Sequence, residues 1–192
     1  LFLGSARRSG FTGDIVIAVD GRRMTPEAKQ IMLTHRAVVY QLPSDICSVG
    51  APTLGDTGFS AGYFCGSEQE RIPVSVFRYY VYEKWTALYD ENSLIFLSDF
   101  QDVIFQSDPF TYRRQEWQEY ALVVFQSFHP NMLINRAPEY SSLLQACYGA
   151  NVLSLRGSMI AVTPGAFMGT RNGILSFSRA MTTQLQDAPG RV

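Results

Sequence analysis

Asp99 and Asp102 close an apolar run, Leu94-Ile95-Phe96-Leu97-Ser98-Asp99-Phe100-Gln101-Asp102, which reads as a buried strand with carboxylates at its carboxyl end. That is where open α/β sheets bind their ligands. Two carboxylates crowded together repel, and one stays protonated unless a cation joins them. Hard divalent cations take such oxygens and keep positions open for substrate phosphates. The chemistry suggested is a magnesium or manganese ion bridging a diphosphate to the protein. Between Lys84 and Arg113 lie 28 residues with no Lys or Arg and five carboxylates: Asp90, Glu91, Asp99, Asp102 and Asp108. The plainer alternative is turn chemistry, which Asp-Pro pairs favour, and Asp108-Pro109 reads that way.

Four further residues could face an anion. Arg78 lies on the helix before the acidic strand, within reach of a diphosphate or of Asp99 and Asp102. Gly165 and Gly169 flank a tight segment before a helix whose N-terminus could meet an anion or sugar hydroxyls. Arg171 opens that helix, where a cation opposes the dipole, and so hints at an anionic partner. His129 reads as a loop histidine. Ser98 and Ser60 have no His/Asp arrangement to make either a nucleophile.

Strand-like and helix-like patterns alternate along the chain and predict an α/β fold with a mostly parallel sheet. Residues 1–9 end a helix, and Asp14–Val19 forms a buried strand. Thr25 caps a helix with Pro26 at its first position, running to Thr34. Ala37–Leu42 is the next strand, completing a βαβ unit. Residues 43–72 hold five glycines and two prolines with little periodicity, a long loop of the kind that is functional or mobile. Val74–Tyr89 repeats apolar residues at helical spacing. Short strands follow at Leu94–Leu97, Val103–Phe105, Ala121–Phe125 and Met159–Val162. Helices are predicted at Pro138–Cys147 and at Arg171–Leu185, the latter capped by Thr170 or Asn172. Without a linker or repeat, residues 1–192 read as one domain.

Composition narrows the function classes. The chain has 192 residues, 16 Lys+Arg against 17 Asp+Glu, and a net charge of −1. Phosphate-backbone binding normally needs a basic excess, so nucleic acid is excluded as a main partner. No apolar run approaches the ~20 residues that span a bilayer. The cysteines, Cys47, Cys65 and Cys147, lack metal-type spacing; a Cys47–Cys65 pair and three buried thiols both stay open.

The segment Ile95–Phe110 resembles the acidic signature of GT-A-fold glycosyltransferases, which use nucleotide-diphosphate sugars. Asp102-Val-Ile-Phe-Gln-Ser-Asp108-Pro109 is similar to the Asp-Val-Val…Asp-Pro tail of several such families. Thr163-Pro164-Gly165-Ala166-Phe167-Met168-Gly169-Thr170-Arg171 resembles their later Gly-x-x-x-Gly-[Ser/Thr]-Arg stretch. The resemblance implies a Rossmann-like sandwich with helices on both faces of a mixed, mostly parallel sheet. It implies a transferase taking a nucleotide-diphosphate sugar to a glycan, protein or lipid acceptor, with manganese or magnesium as cofactor. Asp102 matches the second Asp of the family's Asp-any-Asp motif and would hold the metal. Asp99 would stand near the ribose or a metal-bound water, with Arg78, Gly165, Gly169 and Arg171 toward the donor. The spacing Asp99-x-x-Asp102 is one residue longer than the family's. The family's first strand is expected upstream of Leu1 and its late metal-binding His beyond Val192. Relatives of this kind usually sit in Golgi or other secretory membranes, facing the lumen.

Two rivals come from other classes. A haloacid-dehalogenase-type phosphatase also uses aspartates after an apolar strand, but needs its second Asp two residues on, where Gln101 stands. A non-catalytic sugar- or nucleotide-binding relative of the same fold is the other.

Overall fold

The computed structural model describes residues 1–20, 24–42, 74–100, 103–111, 120–126 and 133–187. The 43–72 loop, Ser60, Cys47, Cys65 and His129 lie outside the described residues. The chain divides into two units, Leu1–Ile72 with Asp99–Glu116, and Pro73–Ser98 with Trp117–Val192. Among the described residues the fold is mixed α/β, with a two-stranded parallel sheet in the first unit and a three-stranded antiparallel sheet in the second.

In the first unit, α1 (Phe2–Arg8) precedes β1 (Ile15–Asp20), α2 (Pro26–Thr34) and β2 (Ala37–Leu42). β1 and β2 pair in parallel from Ile15↔Ala37 to Asp20↔Leu42. Side chains alternate across a strand, so Ile15 and Ile17 share one face, and they meet Leu3 and Ala6 of α1 and Met32 of α2 in the core. Thr25 caps α2 as expected, its hydroxyl accepting from the Ala28 N–H at 3.2 Å. Arg7 ties the pieces together. Its guanidinium donates to the carbonyls of His35 (2.9 Å), Phe11 (3.1 Å), Gly13 (2.7 Å) and Arg36 (3.2 Å).

The expected strand at Val103–Phe105 is not one; residues 103–105 have no regular structure. Aromatic anchoring replaces sheet pairing there. The rings of Phe100 and Phe105 each stand 5.2 Å from that of Phe2, and Phe110 stands 5.6 Å from Phe11. Ser5, 3% exposed, donates to the Phe2 carbonyl at 2.9 Å and accepts from the Phe105 N–H at 3.1 Å. Asp108 is a turn former: its carboxylate accepts from the Phe110 N–H at 2.9 Å.

The second unit begins with α3 (Val74–Ala87), which ends two residues before the expected Tyr89. Asp90 closes the following turn by accepting from the Asn92 N–H at 2.9 Å. β3 (Leu94–Ser98) and β4 (Leu122–Gln126) flank β5 (Val162–Thr170) in the order β3-β5-β4. β5 is antiparallel to both neighbours, so β3 and β4 run parallel to each other. Between β4 and β5 come a 3-10 turn (Ile134–Arg136), α4 (Pro138–Tyr148) and α5 (Ala150–Arg156). The expected strand at Met159–Val162 reduces to one bridge, Ile160 with Leu133, and β5 begins only at Val162.

α6 (Arg171–Asp187) follows β5 directly, and Thr170 is its cap, accepting from the Gly173 N–H at 3.1 Å. α6 packs on the sheet through Phe177, whose ring lies 4.7 Å from Phe167 of β5. α3 packs on α6 in turn, with Tyr79 5.8 Å from Phe177 and Glu83 paired to Arg179 at 3.0 Å. Ile174 (0% exposed) and Leu175 (6%) complete that core. Cys147 is a half-buried free thiol on α4. No helix among the described residues is long and apolar enough to cross a membrane.

Candidate functional site

The carboxyl end of β3 is built by register. Ser98, its last residue, pairs with Ala166 of β5, and Asp99 follows Ser98 along the chain, half-buried. Because β4 runs parallel to β3, Phe125 and Gln126 come to the same end of the sheet. The rings of Phe96 and Phe125 meet edge to face at 6.2 Å, and Phe125 is 36% exposed.

A bulge in β5 shapes this end. Pairing with β4 jumps from Val124↔Phe167 to Gln126↔Val162, so residues 163–166 have no regular partners on that side. Proline cannot donate to a ladder, and glycine leaves backbone open to close approach; Pro164-Gly165 therefore belongs in such a bulge. Bulges beside ligand sites commonly re-aim the chain. Gly165, half-buried, thus stands next to the Ser98 end of β3.

Arg78 lies on α3. Leu97 pairs with Phe167, Phe167 stacks on Phe177, and Phe177 meets Tyr79, the neighbour of Arg78 on α3. Arg78 is half-buried there.

Gly169 and Arg171 lie elsewhere. β5 runs opposite to β3, so Gly169 pairs with Ile95 and Thr170 with Leu94, at the amino end. At about 3.4 Å per strand residue, that is roughly 14 Å from Ser98. The two residues have structural tasks there. A Cβ on Gly169 would overlap the Ala121 carbonyl oxygen, as would one on Gly173. The glycines let this carbonyl approach closely and accept from the Thr170 N–H at 3.1 Å. The Arg171 guanidinium donates to the Ala87 carbonyl at 3.1 Å, at the carboxyl end of α3, and its N–H donates to Ser93 at 2.9 Å. The anionic partner expected for Arg171 is, among the described residues, a helix-end carbonyl. The α6 N-terminus is also partly spent, its Arg171 and Gly173 amides already engaged.

Asp102 lies outside the described residues, and among those described no group of three or more His, Cys, Asp or Glu gathers as a metal cage. Magnesium and manganese do not need one: a single carboxylate or a pair, with phosphate oxygens and water, suffices. The donor set read from sequence, Asp99 with Asp102, fits a metal of that kind. At the carboxyl end of β3, sequence reasoning missed Phe125 and the bulge at Pro164. The signal was present in Pro164-Gly165, a turn dipeptide inside an otherwise strand-like run.

No protein-family model, curated protein or solved structure matches this chain.

Proposed function

We propose that this chain is a GT-A-like glycosyltransferase domain, moving a sugar from a nucleotide-diphosphate donor to an acceptor hydroxyl on a glycan, protein or lipid. The observation that carries the reading is the pair Asp99 and Asp102 directly after β3, inside 28 residues devoid of Lys and Arg. A divalent ion bound there would supply Lewis-acid neutralisation of the departing diphosphate. Asp102 and Asp99 would hold it. Gly165 and Arg78 keep the donor-facing roles that the resemblance implies. Gly169 and Arg171, at the amino end of β3, are left out of this proposal.

The test is calorimetric titration with UDP and GDP, with and without manganese, of wild type and Asp102→Asn. The expected result is nucleotide binding that requires manganese and is lost in the variant. Binding without metal dependence, equal in both proteins, would instead favour the non-catalytic module. Phosphate release from a generic ester without any nucleotide would favour the phosphatase.

A further inference from the structure

We propose that the turn joining α5 to β5 is a peripheral docking point for an anionic membrane surface. Leu155, Met159, Ile160 and Val162 are 77%, 49%, 45% and 39% exposed, four large apolar side chains within eight residues. They are held on a rigid support. Gly157 N–H donates to the Leu153 carbonyl at 2.7 Å and Met159 N–H to Arg156 at 2.9 Å. From the 3-10 turn, Asn135 N–H donates to Gly157 at 2.9 Å and Ile134 N–H to Met159 at 3.0 Å. Gly157 itself is buried, with space for a Cβ closed by the Leu153 carbonyl oxygen at 2.7 Å and Asn135 Cβ at 2.9 Å. The apolar side chains therefore face solvent from an ordered turn.

Charge indicates what covers them. Residues 140–186 contain three arginines and no Asp, Glu or Lys. Arg171 is engaged with the Ala87 carbonyl and Arg179 with Glu83. Arg156 is exposed at the patch, its Nη1 3.8 Å from the Met159 sulfur, and Arg136 is exposed on the adjoining 3-10 turn. Apolar knobs flanked by arginines complement a bilayer interface with anionic headgroups. Four partly exposed side chains offer roughly a few hundred Å², short of the about 800 Å² per partner of a stable protein interface. A bilayer has no such threshold, since each inserted side chain contributes separately.

The test is flotation of the whole chain with vesicles of phosphatidylcholine, with and without phosphatidylserine. Wild type is expected to float with the phosphatidylserine vesicles and to be released by salt. Leu155→Gln with Met159→Gln should weaken this roughly tenfold. Arg136→Gln with Arg156→Gln should weaken it roughly fivefold per arginine and flatten the salt dependence. All four positions are exposed, so unchanged circular dichroism and melting temperature would show that the variants fold. Absence of wild type from both vesicle types, or variants that float like wild type, would overturn the proposal. So would a concentration-dependent dimer that Leu155→Gln dissolves without any vesicle binding, which would put a second copy on the patch.

Discussion

Gly169 shows how a residue type can suggest one role and the geometry assign another. Before a helix, a Gly-x-x-x-Gly-Thr-Arg string reads as a site for an anion. In the fold, Gly169 and Gly173 admit the Ala121 carbonyl, and Arg171 caps α3. Gly169→Ala should therefore destabilise the protein by about 1–3 kcal/mol, the usual cost of forcing atoms into a closed space, as thermal unfolding would show. Nucleotide affinity, measured where the variant is still folded, should stay at the wild-type level. A selective loss of affinity at unchanged stability would return Gly169 to the donor site. Asp108 went the other way: its turn chemistry was plain in Asp-Pro, and its hydrogen bond to the Phe110 N–H agrees.

Elements were most legible where local signals agreed. The strands expected at 14–19 and 37–42 and the Thr25-Pro26 helix start match β1, β2 and α2 to within a residue. β5 was not legible, because Pro164, Gly165 and Gly169 are breakers by propensity. Only the partner strands show that the first two sit in a bulge and the third makes room for a carbonyl. Val103-Ile104-Phe105 failed for a different reason: a three-residue apolar run does not distinguish pairing from anchoring. The Ser5 hydroxyl is central to that anchor. Ser5→Ala removes the hydroxyl to which the Phe105 N–H donates, so stability should fall by about 1–3 kcal/mol, and amide exchange at Phe105 should rise. One acid-sensitive contact lies at the start of α2. The Glu27 carboxyl is held below its ordinary value by its own backbone N–H and then by the Thr25 hydroxyl. A depressed folded value stabilises the native state above the ordinary carboxylate value and is lost as pH falls through the folded one. Thermal melts between about pH 5 and pH 3 should thus decline less steeply in Glu27→Gln than in wild type.

The whole molecule comprises two units, and the chain passes from one to the other between Ser98 and Asp99, where the acidic segment starts. The sequence identified the apolar-to-acidic transition because both sides of it are local patterns. Which of Gly165 and Gly169 stands at the carboxyl end of β3 was not legible, since that depends on β5 running antiparallel. The proposed function requires a metal-held nucleotide diphosphate at this carboxyl end. Amide NMR of the chain titrated with UDP or GDP in the presence of magnesium is the direct test. The expected result is shifts centred on Ser98 and Asp99 that Asp102→Asn removes, with Gly169, Thr170 and Arg171 unmoved. Shifts centred on Gly169–Arg171, or none with either nucleotide, would contradict it.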